Sequence, residues 1–308
     1  MLVVLTALVP IFMLIVLGYG LSRTLLSNSA QWVGIEQLSY YVLFPALLIY
    51  TLARADLSSV PVFGVGGALL LAVLVMSALC FALRPLLANR LNVDGPAFSS
   101  VFQGATRWQT YIALAVAGNL FGYRGLALAS VAMVAMIPIL NVMCVSVLAH
   151  YASPQRLPPM ALLKAISGNP LTWGCVIGLA VNLSGVPIPT ALNDFVDALG
   201  RASLATGLLT VGAGLDPKAL LRPTGAAIIA VALKLVVMPL IAIALALLFG
   251  VGGAGLVVVA CCSAVPTASS AYLLAKQMGG DAPLIAQIVT LQTAFAAITM
   301  PIALALVQ

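Results

Sequence analysis

Residues 100–111 read SVFQGATRWQTY, and residues 261–272 read CCSAVPTASSAY. Each is a short polar patch, broken by Gly or Pro, inside an apolar stretch long enough to span a bilayer. Thr106 and Pro266 mark the two patches 160 positions apart. In lipid, broken backbone persists only where protein or a water-filled cavity satisfies its polar groups. A matched pair of interrupted apolar segments in the two halves of a chain points to a transporter's substrate site. The expected crossing lies at Gly104, Thr106, Ala264 and Pro266.

Working outward, the whole chain fits a bilayer. Of its 308 residues, 63% are hydrophobic and 6% charged, against about 25% charged in soluble domains. The apolar runs are continuous and about 20 residues long, as transmembrane helices require, and lack the weak alternation of a barrel strand. The fold class is therefore an all-α polytopic membrane protein. Ten spans are predicted at 2–21, 35–55, 61–83, 97–118, 124–149, 169–184, 192–214, 224–249, 254–276 and 282–306. The N-terminal run has no basic leader and is too long for a signal peptide, so it reads as a retained span.

The longest polar connection, 150–168, is Pro-rich and suits a cytoplasmic linker between halves at 1–149 and 169–308. The halves echo each other at an offset of 160: Pro10 with Pro170, Gly18 with Gly178, Asp56 with Asp216, and Leu114–Ala115 with Leu274–Ala275. Five spans per half is an odd number, so the second half enters from the opposite side and the repeat is inverted. With the N-terminus outside, the inner loops hold Arg23, Arg84, Arg90, Arg156, Lys164, Lys218, Arg222 and Lys276. The outer ends hold Arg54, Arg124 and Arg201. Eight basic residues against three put both termini outside. The formal charge of +6 is thereby explained by topology rather than by a nucleic-acid partner.

Arg107 and Lys234 are the two basic residues within spans. A charge near the bilayer centre costs at least about 2.5–3.5 kcal/mol on insertion scales and is a functional candidate by default. Arg107 shares its patch with Gln103, Gly104, Thr106, Gln109 and Thr110. Asp56, Asp94, Asp216 and Asp281 all fall at span ends, which leaves Arg107 free for an anion. A guanidinium grips a carboxylate through two parallel hydrogen bonds. The competing reading has Arg107 satisfying carbonyls freed by the helix break, or snorkelling to an interface. In the second patch, Pro266 removes a helix hydrogen bond. Thr267, Ser269 and Ser270 either face substrate or bond back to their own helix. Lys234 has two readings: a fixed cation standing where a related carrier would hold a coupling ion, or a structural lysine capping carbonyls of the broken helix. Asn141 joins the expected substrate set. Gln287, Gln292 and Thr293 suit interhelical hydrogen bonding. Glu36 is placed at the interface where span two begins, and Asp197 and Arg201, four apart, suit a local ion pair.

Several chemistries are excluded. Cys80, Cys144, Cys175, Cys261 and Cys262 lie in apolar segments without metal-ligand spacing, and the one histidine is His150. Neither a metal site nor a disulfide framework is expected. No phosphate-binding lysine loop, HExxH or GxSxG motif suits an ATP-driven pump or an intramembrane hydrolase. The chain is expected to be no enzyme and to take no cofactor.

The stretches LVPIFMLIVLGYGLSR (8–23), LSYYVLFPALLIYTL (38–52) and NLFGYRGLALASVAMVAMIPILNV (119–142) resemble the auxin efflux carrier family. So do NPLTWGCVIGLAVNLSGVPIP (169–189), GLLTVGAGLD (207–216), LKLVVMPL (233–240) and AVPTASSAYLLAKQMGGD (264–281). The resemblance covers essentially the whole chain and suits a bacterial member, since the long central loop of the plant carriers is missing. It implies two inverted five-span repeats with crossing discontinuous spans four and nine. It also implies a scaffold of spans 1, 2, 6 and 7, dimeric in the family, and a moving transport domain of spans 3–5 and 8–10. The implied substrates are organic anions, crossing the bacterial inner membrane by elevator-type alternating access. Gln109-Thr110-Tyr111 stands where many members carry Asn-Thr-Gly, with no neighbouring proline, so the specificity of those members does not transfer. Two rivals remain open: a sodium-coupled carrier of larger amphipathic acids, as in the bile acid relatives, and a non-transporting membrane sensor or assembly subunit.

Overall fold

Long runs of Leu, Val, Ile and Ala leave the helix as the only local structure that satisfies its own backbone in lipid. The computed structural model describes residues 2–55, 62–152, 170–186 and 188–307 and is helical throughout, without strands among those residues. In chain order the helices are α1 (Leu2–Arg23), α2 (Ser29–Ala53), α3 (Val62–Leu91), α4 (Gly95–Thr106) and α5 (Thr110–Tyr151). They continue as α6 (Pro170–Ser184), α7 (Thr190–Ala213), α8 (Gly225–Leu248), α9 (Gly253–Ala264), α10 (Ser270–Met278) and α11 (Ala282–Ala305). Six helical stretches among the described residues are long and apolar enough to cross a membrane, and α6 and α9 are shorter apolar helices. The chain is thus a polytopic membrane protein.

Most of the few acids have local structural work. Asp94 accepts from Ala97 N at 2.9 Å and opens α4, and Asp281 accepts from Leu284 N at 2.9 Å and opens α11. Asp216 accepts from Lys218 N at 3.1 Å. A carboxylate at a helix start satisfies an orphan N–H and meets the positive end of the dipole. Asp197 pairs with Arg201 on α7. Asn28 caps α2 through Ala30 N at 2.9 Å. This cap starts α2 at Ser29, earlier than the expected residue 35, so Glu36 lies about two turns inside the helix rather than at its start.

One other expectation is corrected: α3 runs on to Leu91, past the predicted end at 83, and carries Pro85 within it. Within α5 the helix breaks at Gly122, with φ 58° and ψ −141°, between the expected end of span four at 118 and the start of span five at 124. Positive φ is open to glycine at little cost. There the chain folds back on itself: Gly125 packs against the Ala117 carbonyl, and a Cβ on Gly118 would meet Leu126 at 3.1 Å. The linker at 150–168 lies, from residue 153 on, outside the described residues, as does Asp56.

Packing divides the helices into two groups. α1, α2, α6 and α7 pack extensively on one another, and α3, α4, α5, α8, α9, α10 and α11 pack among themselves. Small residues allow the close approaches. In the first group, Gly178 of α6 lies against Leu48, Ile49 and Leu52 of α2. Between the groups, the Tyr111 ring of α5 lies directly over Gly207 of α7, in space a Cβ would occupy. That ring also meets Phe44 of α2 edge-on, 4.5 Å between centroids.

Candidate functional site

The first helix break falls just after Gly104 and Thr106 rather than at them, while the second contains Pro266. α4 keeps Gly104 and Thr106 as helical residues and stops at Arg107, with φ −71° and ψ 160°. α9 keeps Ala264 and stops at Val265, with φ −66° and ψ 150°. The first break is 107–109 and the second 265–269. Gly104 is therefore not a breaking point but a contact point. A Cβ there would lie 2.8 Å from Ile288 of α11 and 3.4 Å from the Ala230 Cβ of α8.

The two breaks satisfy each other. Gln109 N donates to the Pro266 carbonyl at 2.7 Å. Thr267 Oγ1 donates to the Gly104 carbonyl at 2.7 Å, and lies 3.3 Å from the carbonyls of Gln103 and Arg107. Gln292 of α11 closes the junction. Its Oε1 accepts from Thr267 N at 2.8 Å, and its Nε2 donates to the carbonyls of Gly104 at 2.9 Å and Ala230 at 3.2 Å. Backbone groups orphaned at both breaks thus find partners inside protein, as membrane depth demands. The second bond of Ala230 arises where α8 widens into a π turn at Leu233–Val237.

This geometry sorts the expected site residues. Thr267 is fully buried, Pro266 is buried, and both hold the crossing together, so in this structure they serve as structure rather than as open polar lining. Thr106 bonds back to the Phe102 carbonyl at 2.7 Å and is likewise structural. Gln103 is fully buried, with neither amide atom hydrogen-bonded. Thr293 bonds its own helix at Val289, while Gln287 fastens the loop before α8 through Thr224 and Arg222. Lys234 is fully buried and its Nζ has no hydrogen-bond partner. It caps no carbonyl here. It lies within electrostatic reach of Cys262 near the end of α9.

Arg107, Gln109, Asn141, Ser269 and Ser270 do come together. Arg107 NH2 reaches Asn141 Oδ1 at 3.4 Å and Ser270 Oγ at 3.3 Å, and Gln109 Nε2 donates to Ser269 Oγ at 3.1 Å. Both Arg107 bonds are long, and its NH1 is buried without a partner. Arg201–Asp197 is the one ion pair among the described residues, so Arg107 has no carboxylate partner there. Arg107, Thr110, Asn141 and Ser269 are half-buried and Ser270 is exposed, so the cluster is open on one side. A half-free guanidinium beside amide and hydroxyl groups is complementary to a carboxylate. Tyr40 of α2 approaches the same guanidinium closely enough to interact with it electrostatically. Sequence reading missed Tyr40, because nothing in LSYYVLFP says which tyrosine a π turn at Ser39–Leu43 will aim inward. Two surface hollows lie elsewhere, one beside Arg54 and Asn182, the other between Phe12 and Pro301.

No curated protein matches the chain. The family described as membrane transport protein matches residues 3–304, nearly end to end. The chain accordingly belongs to the membrane transport protein family, that of the auxin efflux carriers.

Proposed function

We propose that this membrane transporter is a secondary carrier of a small organic anion, a mono- or dicarboxylate, in the bacterial inner membrane. The observation that carries the proposal is Arg107: a guanidinium at a helix break, short of partners, held beside Asn141 and Ser270. Binding a carboxylate would supply the missing acceptors and neutralise the buried charge. Gln103, Gln109, Thr110 and Ser269 complete the polar lining of this reading.

The matched breaks support a ten-span architecture of two inverted repeats. α4 and α9 are each 12 residues long and end in the same extended conformation. α5 and α10 restart at Thr110 and Ser270, 160 positions apart. The two packing groups support a division into a scaffold of spans 1, 2, 6 and 7 and a transport domain of spans 3–5 and 8–10, sliding by an elevator motion. A homodimer through the scaffold helices, embedded in the lipid bilayer with both termini outside, completes the reading.

Lys234 disfavours the sodium-coupled alternative. Its ammonium is buried beside Cys262, close to where α9 ends. The C-terminal end of a helix attracts a cation, and a fixed ammonium can hold such a place without a coupling ion. The sensor alternative gives no reason for two interlocked helix breaks.

A thermal-shift screen of the purified protein against a carboxylate library tests the anion proposal, since a ligand of the native state raises the melting temperature. Uptake into proteoliposomes of whichever carboxylate binds, without need of sodium, is the expected transport result. Binding by cations or neutral solutes alone would refute the proposal.

A further inference from the structure

Lys234 is the one charged side chain with no exposed surface among the described residues, and its Nζ has no hydrogen-bond partner. Hydrogen bonds fix where it sits. Ser100 of α4 donates to the Asp281 carbonyl just before α11, and Gly104 lies farther along against Ile288 and Gln292. Gln287 of α11 accepts from Thr224 just before α8, and Gln292 donates to Ala230 within it. The three helices therefore run in the same direction. Gln292 Nε2 serves the carbonyls of Gly104 and Ala230 together, so these two residues are level. Arg107 comes three residues after Gly104 and Lys234 four after Ala230, a rise of about 4.5–6 Å for both. The two cations thus share one depth, on neighbouring helices whose axes pack about 8–10 Å apart.

The π turn that carries Lys234 packs against α4, α9 and α11. Neither α4 nor α11 contains a titratable side chain; Asp94 and Asp281 cap their starts, and Arg107 ends α4. α9 brings Cys261, which donates to the Ala113 carbonyl at 3.7 Å, and Cys262. α3, alongside α8, carries Cys80, Arg84 and Arg90, and Arg84 stacks on the Tyr151 ring at 4.4 Å. No carboxylate pairs with Lys234 among the described residues.

An ammonium in this place meets a desolvation cost that nothing offsets, and a neutral amine escapes it. Arg107 keeps its charge whatever its surroundings. A carboxylate on Arg107 brings a negative charge to within on the order of 10 Å of Lys234. At an effective dielectric constant of about 20, that charge favours the ammonium over the amine by about 10-fold. We propose that Lys234 is a proton site linked to the carboxylate site. It takes a proton from water as the anion binds and returns it to water as the anion leaves, so the carrier moves a carboxylate and a proton together. The only bond made and broken is an N–H bond of the ammonium. Together the two add no net charge, so the membrane potential does not oppose uptake. This assignment rests on the reading of Arg107 as the carboxylate site and adds the coupling ion to it.

The test uses the purified full chain and the tightest-binding member of a carboxylate library that includes acetate, succinate and benzoate. Titration calorimetry in buffers of different ionisation enthalpy counts the protons taken up on binding, between about pH 6.5 and 9, where the probes stay ionised. Uptake of up to one proton per carboxylate is expected within that range. Affinity should fall about 10-fold as rising pH strips the proton from Lys234. Lys234→Met should hold the weaker affinity at every pH and take up no proton. Lys234→Arg, whose charge is permanent, should hold the tighter affinity and likewise take up none. In proteoliposomes an acid exterior should drive accumulation of the probe by the unaltered protein, beyond that of protein-free vesicles, and not by Lys234→Met. Binding without proton uptake by the unaltered protein overturns the proposal with no variant needed, and leaves the anion reading standing. Proton uptake that persists in folded Lys234→Met or Lys234→Arg also overturns it, as does accumulation indifferent to the pH gradient. If no carboxylate of the library binds, the anion reading falls and this inference with it.

Discussion

Gln109 and Pro266 share a hydrogen bond of 2.7 Å from the backbone N–H of one helix break to the carbonyl of the other. The bond makes the two breaks one unit: neither interruption could persist in lipid without the other. Thr267 and Gln292 extend the unit to Gly104 and Ala230. The polar cluster of Arg107, Asn141, Ser269 and Ser270 adjoins this junction.

Thr267 and Gln292 are expected to be structural. Thr267→Val removes one of two donors from the Gly104 carbonyl, which Gln292 Nε2 still serves, and the loss of such a bond costs about 0.5–1.5 kcal/mol. Gln292→Leu removes three bonds and should cost more. Melting temperatures should fall in that order, while folded protein keeps its ligand affinity. A stable Thr267→Val variant with weakened binding would return Thr267 to the substrate set.

Gly207 should tolerate no side chain while Tyr111 covers it. Gly207→Ala forces the Tyr111 ring off α7, and overpacking of this kind costs about 1–3 kcal/mol. Tyr111→Ala should open the space, so that the double variant melts above the sum expected from the two single losses. Strict additivity would contradict the packing described.

Lys234→Met should raise stability or leave it unchanged. The ammonium is buried with no hydrogen-bond partner, and an apolar replacement of similar length avoids its desolvation. If the ammonium stands in for a coupling ion, the same variant should lose transport while melting no lower. Full transport by a stable Lys234→Met protein would show that the charge has no part in the cycle.

The bias of basic residues predicts orientation. In a protein whose own cysteines are replaced, a Cys introduced near Gln308 should label from outside the cell and one at Gln155 should not. The reverse pattern would invert the topology.

Much of this was legible in sequence because lipid is a strict solvent. The apolar runs, the two polar interruptions and the isolated Arg107 follow from the cost of polar groups in hydrocarbon. The details that depend on three-dimensional closure were not legible. The break begins at Arg107 rather than Gly104, since Gly104 answers the approach of Ile288 and Ala230, which local sequence does not record. The bond of Thr267 to Gly104, on the other broken helix, is a long-range contact that local sequence does not record. Glu36 lies inside α2 rather than at its start because Asn28, a readable cap, opens the helix at Ser29. The connection 265–269 is two residues longer than 107–109, so the constant offset of 160 holds for Thr110 and Ser270 but becomes 158 for Thr106 and Ala264.

The most direct test of the account is the affinity of Arg107→Gln for a carboxylate that binds the unaltered protein, measured beside the melting temperature of the same preparation. Hydrogen bonds to charged groups are worth roughly 1.5–3 kcal/mol, a loss of about 10- to 150-fold in affinity. Arg107→Lys should recover only part, since an ammonium keeps the charge without the planar fork. The account predicts that loss in protein that melts as the parent does. An Arg107→Gln protein that folds normally and binds the same carboxylate with undiminished affinity would contradict it.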